Sequence, residues 1–154
     1  QKRKNPKFPP INGDFYDVQA LLTDDDRKLL GEVREFMVKK IDPIANEYWA
    51  KAEFPFHIIA DLKKLNIIGL TMDKSVGGQE RSYLLEGMIG QEIARVDTSI
   101  CTFFGVHSGL AMNSIDMCGS DEQRKQFLPS MITLDKIGAL LHSSDRYLPL
   151  ESRM

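Results

Sequence analysis

Histidines are the first residues to consider for chemistry, because an imidazole can serve as a general base or a metal ligand near neutral pH. His57, His107 and His142 stand far apart along the chain, and none belongs to an HExxH or HxxxH pattern. We therefore predict no metal site. His107 lies in an apolar segment, so we expect a helix residue whose ring is hydrogen-bonded rather than a catalytic base. Ser108 follows it without the GxSxG pattern of a nucleophile elbow.

Two further features could carry chemistry but have structural explanations. Gly77–Gly78 is not followed by the GK[ST] of a phosphate loop and no strand precedes it, so it predicts a turn. Glu92 falls on the apolar face of a predicted helix with Met88 and Ile89, where a carboxylate needs a partner. Arg95, three residues on, predicts a structural ion pair. From residue chemistry alone, the sequence predicts no catalytic residue.

The bulk composition excludes several functions. Lys and Arg total 20 against 22 Asp and Glu, so no overall positive field recruits nucleic acid or an anionic membrane. No apolar run approaches the roughly 18 residues of a membrane span. Cys101 and Cys118 are too few for a disulfide framework. The 154 residues suit one domain.

The elements that must position these residues are helices. Thr23, Ser82, Asp97 and Ser120 each precede a segment whose apolar residues recur at helical spacing, so they predict helix N-termini. Asp42–Pro43 restarts a helix, with proline suited to its first position. The pattern predicts an all-α domain.

The C-terminal part of the chain carries the most apolar of these segments. Residues 100–117 are apolar on more than one face, which is typical of a helix buried at the centre of a domain. The helix that begins at Ser120 is predicted to end near Pro129. Residues 136–141 are short, apolar and follow a turn, so they predict the beginning of a strand.

Several motifs occur in an order and at a spacing that resemble a known family. They are Phe54–Pro55, Val76–Gly78, Glu92–Asp97, Val106–Leu110 and Cys118–Gln123 with Leu128–Pro129. This pattern is similar to that of the acyl-CoA dehydrogenase and acyl-CoA oxidase family. Motifs nearer the N-terminus look most like those of plant peroxisomal short-chain acyl-CoA oxidases, with glutaryl-CoA dehydrogenases as close relatives; they are Phe8–Pro10, Asp14–Tyr16, Leu21–Thr23 and Glu47–Phe56.

The resemblance implies a helical N-terminal domain, which in the family is followed by a β-rich middle domain and a helical C-terminal domain. In family members FAD lies between the middle and C-terminal domains, and a glutamate of the C-terminal domain removes the α proton of an acyl-CoA. A hydride leaves the β carbon for the flavin. Oxidases then reduce oxygen, and dehydrogenases reduce an electron-transferring flavoprotein. Acyl-CoA, FAD and further copies of the chain are thus the expected ligands and partners of the complete enzyme.

The family's acyl-pocket helix corresponds to Phe103, Val106 and Leu110, whose spacing places them on one helical face. The resemblance makes them the expected substrate-binding residues, with plain core packing as the alternative. Their bulk implies a short pocket. Cys101 stands where glutaryl-specific members have an arginine. The absence of this arginine argues against a dicarboxylyl substrate, because a desolvated carboxylate needs such a partner.

The flavin side departs from the family pattern. Ala139 and Leu141 correspond to positions near the flavin and are the expected cofactor-binding residues. The family continues with Thr-Glu-Pro and then Gly-Ser-Asp, whereas this sequence continues with an unrelated tail. We expect an extended arm over 1–22, the helical domain over 23–133, and a vestigial start of the middle domain with a divergent tail over 134–154. The chain alone is expected to lack the catalytic glutamate, to hold no FAD and to show no turnover.

The tail also suggests a location. Ser152–Met154 resembles a peroxisomal targeting signal of the S-K-L type, and the resemblance to the oxidases points the same way, so we expect a peroxisomal protein, with the mitochondrion as the alternative. A rival hypothesis for the function is a non-catalytic helical module that docks on full-length subunits or regulates them. It rests on the apolar stripe of residues 100–117, which other domains of the family would cover.

Overall fold

The structure is a computed structural model that describes residues 16–141, and in this range its regular secondary structure is entirely helical. The prediction of an all-α fold is confirmed. Two π-helical segments, Met37–Ile41 and Gly105–Met112, join neighbouring α-helices, and three 3-10 turns lie at Val18–Leu21, Phe56–Ile58 and Lys74–Val76. The α-helices are α1 (Asp24–Phe36), α2 (Asp42–Lys51), α3 (Ile59–Leu65), α4 (Tyr83–Ala94), α5 (Thr98–Phe104), α6 (Asn113–Cys118) and α7 (Asp121–Ile132).

Side-chain caps begin the helices where the sequence predicts them. The Thr23 hydroxyl accepts a hydrogen bond from the Asp26 N–H, and the Asp26 carboxylate accepts one from the Thr23 N–H. This reciprocal capping box satisfies two donors that the helix itself leaves unpaired. A capping box of the same kind begins α7 at Ser120, and single side chains, Ser82 and Asp97, cap α4 and α5.

The first π-helical segment accommodates Pro43. A proline has no N–H to donate, and its ring crowds the carbonyl four residues earlier. The N–H of Asp42 bonds the carbonyl of Met37, five residues back, so the hydrogen-bond ladder is shifted before proline enters α2. Met37 and Ile41 remain buried. The predicted helix start at Asp42–Pro43 is confirmed, although the chain stays helical through it.

The last helix continues past the proline near its C-terminus. The prediction that this helix ends near Pro129 is wrong, because α7 extends to Ile132. Proline removes a backbone donor but keeps its acceptor. The Pro129 carbonyl accepts a hydrogen bond from the Thr133 N–H at 3.3 Å, so the ladder closes one turn beyond the proline.

The segment after α7 is not a strand. The prediction of a strand over 136–141 is wrong for the described residues, which contain no second strand whose backbone could pair with it. Its N–H groups find other partners. The Lys136 N–H bonds the Ser130 carbonyl at 2.9 Å, and the Gly138 N–H bonds the ring of His107. The segment is therefore held against the helices.

One apolar core runs through the domain. Helix α4 packs against both α1 and α5, and α6 packs against α7. Helices α1, α4 and α7 and the second π-helical segment all contribute fully buried side chains, as Val33, Leu85, Ile89, Met112 and Leu128 illustrate. None of the helices in the described range is both long and apolar enough to cross a membrane.

Glu92 makes the main polar contact between α1 and α4. Its buried carboxylate accepts two hydrogen bonds from Arg34, from Nε at 2.9 Å and from Nη2 at 2.5 Å. Arg95, the partner predicted from helical spacing, lies farther away, with its Nη1 3.7 Å from the carboxylate. The predicted structural ion pair is confirmed, but its principal partner is Arg34. That residue is 58 positions away, so helical spacing could not identify it.

Candidate functional site

Helices α5 and α6 and the π-helical segment between them form one continuous central helix, and this helix carries the three predicted substrate-binding residues. Phe104 and His107 point into the core and are buried. Phe103 and Val106 are half-buried, and Leu110 is 47% exposed. We name Phe103, Val106 and Leu110 the apolar wall. The wall lies where the core of the domain leaves the central helix partly open, and its role in substrate binding stays a prediction.

The aromatic ring at one end of the wall is fixed by neighbours. Phe103 contacts Phe54, with ring centroids 4.9 Å apart, and lies parallel to the His107 ring, with centroids 6.1 Å apart and an interplanar angle of 4°. Phe54 in turn meets Phe56 edge to face at 5.1 Å. Such aromatic pairs stabilise by about 0.5–1.5 kcal/mol beyond the area that they bury. Phe103 also packs against the core, so core packing accounts for part of its position.

His107 lies behind the wall and is fully buried. The Gly138 N–H donates to its Nδ1 at 3.0 Å, so Nδ1 carries no proton, and its Nε2–H donates to the Met131 carbonyl at 3.0 Å. Burial lowers the pKa of the ring below its ordinary value, because desolvation disfavours the charged form. The expected hydrogen-bonded ring is confirmed. With both nitrogens occupied, His107 has no free lone pair with which to act as a base.

Cys101 stands at the position where, by the resemblance described above, glutaryl-specific proteins have a carboxylate-binding arginine. Its thiol donates to the Gly90 carbonyl at 3.4 Å, and burial raises the pKa of the thiol, so the group stays neutral near neutral pH. A neutral thiol offers no charge to a second carboxylate of a substrate.

The predicted flavin-side residues lie at the end of the described chain. Ala139 and Leu141 are exposed, Leu141 to 92%. A flavin dinucleotide presents ring nitrogens, carbonyl oxygens and a pyrophosphate, all of which need polar partners. Residues 137–141 carry only apolar side chains or none. The side chains of residues 137–141 therefore offer a flavin only apolar contacts.

Other concave or polar sites in the described range do not coincide with the wall. A groove of about 360 Å³ opens beside Trp49, between α2, the turn at Phe54–Pro55 and the start of α5. Phe54 lines this groove and also contacts Phe103. Among the described residues, no group of three or more His, Cys, Asp or Glu side chains could hold a metal ion. This groove therefore lies beside the wall rather than on it.

These features define a class of protein: a helical domain whose central helix is buried on one face and presents a partly open apolar wall beside it. Sequence comparison names the family. Residues 23–135 match the model of the acyl-CoA dehydrogenase N-terminal domain, and the chain belongs to the acyl-CoA dehydrogenase family.

Individual relatives are similar over most of this chain. Isobutyryl-CoA dehydrogenase of Dictyostelium discoideum is 33% identical over 77% of the chain, and isovaleryl-CoA dehydrogenase of Solanum tuberosum is 32% identical over 80% of it. A glutaryl-CoA dehydrogenase of Mycobacterium smegmatis, solved with FADH2, superposes with a TM-score of 0.72 and 25% identity over 79% of the chain and 31% of its own length. The chain spans 28% and 31% of the two relatives that are compared by sequence.

The expected location requires a correction. The prediction of a peroxisomal protein is wrong, because both of these relatives are named as mitochondrial. They are also dehydrogenases, so the resemblance holds for the family rather than for the peroxisomal oxidases in particular. Ser152–Met154 lies outside the described residues, and a match of three residues arises easily by chance.

Sequence reasoning missed three residues of the site. Phe54 appeared only as part of a family motif, and its contact with Phe103 joins distant parts of the chain. Gly138 was passed over, although a Cβ there would lie 2.7 Å from the Ala111 Cβ and 2.5 Å from the Met131 Cε. Met131 contributes a backbone carbonyl to His107, and no side-chain pattern can indicate such a contact. A glycine after a helix and before an apolar segment was the only available signal.

Proposed function

We propose that this chain is the acyl-binding N-terminal domain of an FAD-dependent acyl-CoA dehydrogenase, which oxidises the α,β bond of an acyl-CoA in fatty-acid β-oxidation. The apolar wall of Phe103, Val106 and Leu110 forms one side of the acyl pocket. The observation that carries the proposal is this wall, a partly open apolar face on a central helix whose opposite face is buried in the core. Burying such a face against an acyl chain stabilises the complex by roughly 25 cal/mol per Å².

The proposed substrate is a short monocarboxylic acyl-CoA. The Phe103 ring occupies one end of the wall and contacts Phe54 and His107. Because these contacts hold the ring in place, it cannot easily move aside to accommodate a longer acyl chain. The neutral Cys101 thiol, already bonded to a backbone carbonyl, supports a chain without a second carboxylate. The similarity to a glutaryl-CoA dehydrogenase therefore supports the fold and the family more than the substrate.

The electron acceptor and the location are part of the same proposal. We infer a dehydrogenase rather than an oxidase, and a mitochondrial rather than a peroxisomal protein, because the relatives above carry both descriptions in their names. In the complete enzyme, domains beyond the helical one supply the rest of the FAD site, and copies of the chain associate. We propose a helical domain over 23–133, with an arm over 1–22 and a vestigial start of the middle domain with a divergent tail over 134–154; residues 1–15 and 142–154 lie outside the described residues.

The rival hypothesis, a non-catalytic docking module, loses part of its basis. Its premise is an uncovered apolar stripe over residues 100–117. Within that range Ile100, Phe104, Ala111 and Met112 are buried in the domain itself. Outside the wall, Met117 is the main apolar side chain of this range that stays exposed, at 81%.

The proposal can be tested with the chain alone by saturation-transfer difference NMR, with butyryl-CoA and free CoA as probes. We expect the butyryl methyl group to receive magnetisation from the protein. Leu110→Asp should reduce this transfer several-fold, because a charge in the wall must be desolvated. Val38→Asp is the matched control, since Val38 is 48% exposed and Leu110 47%.

Equal transfer to the CoA portion of both probes with none to the butyryl group would contradict the proposal. An equal loss in both aspartate variants would do the same, because it would show a general effect of a new charge rather than an acyl contact.

A further inference from the structure

We propose that His107 is a positioning residue that holds the apolar wall and the segment leading to Ala139 and Leu141 in a fixed relation. This inference rests on the proposed function for its meaning, because the wall and the flavin-side segment are the two surfaces between which an acyl chain would react. Its structural basis is independent of any ligand. It consists of the contacts that the ring makes with three separate parts of the chain.

The first step is the state of the ring. Nδ1 accepts the Gly138 N–H and Nε2–H donates to the Met131 carbonyl, both at 3.0 Å. Each nitrogen is used once, and the donor and acceptor roles leave a single neutral tautomer. The fully buried ring cannot exchange protons with a substrate. Its two bonds instead join the central helix to the end of α7 and to the segment after it.

The second step is the contact with the wall. The Phe103 ring lies parallel to the His107 ring, and Phe54 contacts Phe103 as well. The ring that ends the wall is thus placed by the imidazole together with a second aromatic side chain. A change in the orientation of His107 would change the position of Phe103.

The third step is the close approach of the exit segment. At Gly138 a Cβ would lie 2.7 Å from the Ala111 Cβ, a distance that real Cβ atoms do not adopt, so the hydrogen bond to His107 requires glycine there. Ala139 follows directly and Leu141 two residues later. The direction in which these residues leave the domain is therefore set at the His107–Gly138 bond.

Two substitutions separate this role from simple core packing. Glutamine offers an uncharged donor and an uncharged acceptor, so His107→Gln can keep both backbone bonds. Leucine fills a buried site without polar atoms, so His107→Leu removes both bonds. Amide hydrogen exchange of the 154-residue chain, read residue by residue with NMR, reports the Gly138 N–H directly.

We expect the Gly138 amide to exchange about tenfold faster in His107→Leu, as the loss of one hydrogen bond predicts, and at close to the original rate in His107→Gln. The amide of Val33, buried in α1, serves as the reference for global unfolding. The Phe103 ring resonances should shift in the leucine variant only. Unchanged exchange at Gly138, or an equal acceleration at Gly138 and Val33 in both variants, would overturn the inference.

The same samples distinguish the inference from the proposed function. Butyryl-CoA should bind more weakly to His107→Leu than to His107→Gln if both hold. Absence of butyryl-CoA binding in every variant would count against the proposed function, whereas the exchange of Gly138 would still decide whether His107 positions the segment.

Discussion

The α1–α4 contact and the central helix both bury polar groups, but they satisfy them in opposite ways. Between α1 and α4, a charged carboxylate meets a charged guanidinium, and Glu92 and Arg34 join two helices through their side chains. In the central helix, the neutral ring of His107 joins two backbone groups, and the buried Ser108 hydroxyl has no hydrogen-bond partner among the described residues. We call the Arg34–Glu92 ion pair the side-chain clasp. We call the two hydrogen bonds that His107 makes with the Met131 carbonyl and the Gly138 N–H the backbone clasp.

The difference follows from what each region lies beside. A charged pair at the α1–α4 contact has Arg34 partly in solvent, with 38% of its side chain exposed, so part of its desolvation cost is avoided. An ion behind the apolar wall would be desolvated further by any acyl chain that covered the wall. A neutral imidazole keeps the geometry without placing a charge there. The contrast supports separate roles. The contact between α1 and α4 stabilises the fold, whereas the central helix positions the apolar wall.

The largest effect is expected from opening the side-chain clasp. Arg34→Met leaves the buried carboxylate of Glu92 with only the more distant Arg95, so the free energy of unfolding should fall by about 3 kcal/mol. Arg95→Met is the matched control and should cost less than about 1 kcal/mol, because that pair is longer and more exposed. Urea unfolding measures both. Equal losses in the two variants would mean that Arg34 has no special part in the contact.

The next effect concerns the backbone clasp. Gly138→Ala forces a Cβ against Ala111, which the central helix holds in place, and overpacking of this kind costs about 2 kcal/mol. Gly109→Ala on the same helix has no atom within 4 Å of the new Cβ, so it should be neutral or stabilising by up to about 1 kcal/mol. Thermal or urea unfolding of the pair provides the measurement. A neutral Gly138→Ala would show that the exit segment is not held closely.

The stability that His107 contributes should depend on pH. The pKa of His107 is lowered in the folded state by burial, so the unfolded chain takes up the proton first as the pH falls. The stability that the neutral ring contributes is complete above the ordinary histidine pKa of about 6.5 and is lost as the pH falls from there towards the folded-state pKa. One proton changes stability by at most about 1.4 kcal/mol per pH unit.

The matched variant for this prediction is His107→Gln, whose stability should vary less between pH 7 and pH 5. Carboxylates titrate alike in the two chains. The hydrogen bond to Lys63 lowers the pKa of Asp135, whereas burial raises the pKa of Glu86, so only the difference between the two stability curves reports His107. Parallel stability curves for the wild-type chain and the glutamine variant would show that His107 is not the titrating group.

The smallest effects are expected at the helix caps, one in each region. Thr23→Ala removes the cap of α1, and Ser120→Ala removes that of α7. Each should lower the free energy of unfolding by about 1 kcal/mol. Only Ser120→Ala should also speed exchange at Gly138, since α7 carries the Met131 carbonyl that bonds His107. An equal increase in the exchange rate of the Gly138 amide in both variants would contradict the separation of the two regions.

Local signals in the sequence were sufficient for most of the fold. The caps at Thr23, Ser82, Asp97 and Ser120 each involve residues three positions apart, so they can be seen in a short window of sequence. The continuation of α7 past Pro129 was missed because a proline rule describes the lost donor and not the acceptor that remains. The strand over 136–141 failed because a strand needs a partner that no local pattern supplies.

The candidate site was less predictable because its contacts join distant residues. The family resemblance assigned Phe103, Val106 and Leu110 to the acyl pocket, and the structure locates them without testing that role. The Arg34–Glu92 pair, the Phe54–Phe103 contact and the bond from Gly138 to His107 all depend on how helices pack. Residue types alone do not indicate which helices meet. The second π-helical segment, Gly105–Met112, likewise has no simple sequence signal.

The central claim is that the apolar wall, and not the groove beside Trp49, receives an acyl chain. Methyl NMR of the 154-residue chain during titration with butyryl-CoA tests it most directly, with free CoA as the reference. We predict that the methyl resonances of Val106 and Leu110 shift with butyryl-CoA and not with CoA, while that of Ile44, which lines the groove, stays in place. Shifts at Ile44 without shifts at Val106 and Leu110 would contradict the account.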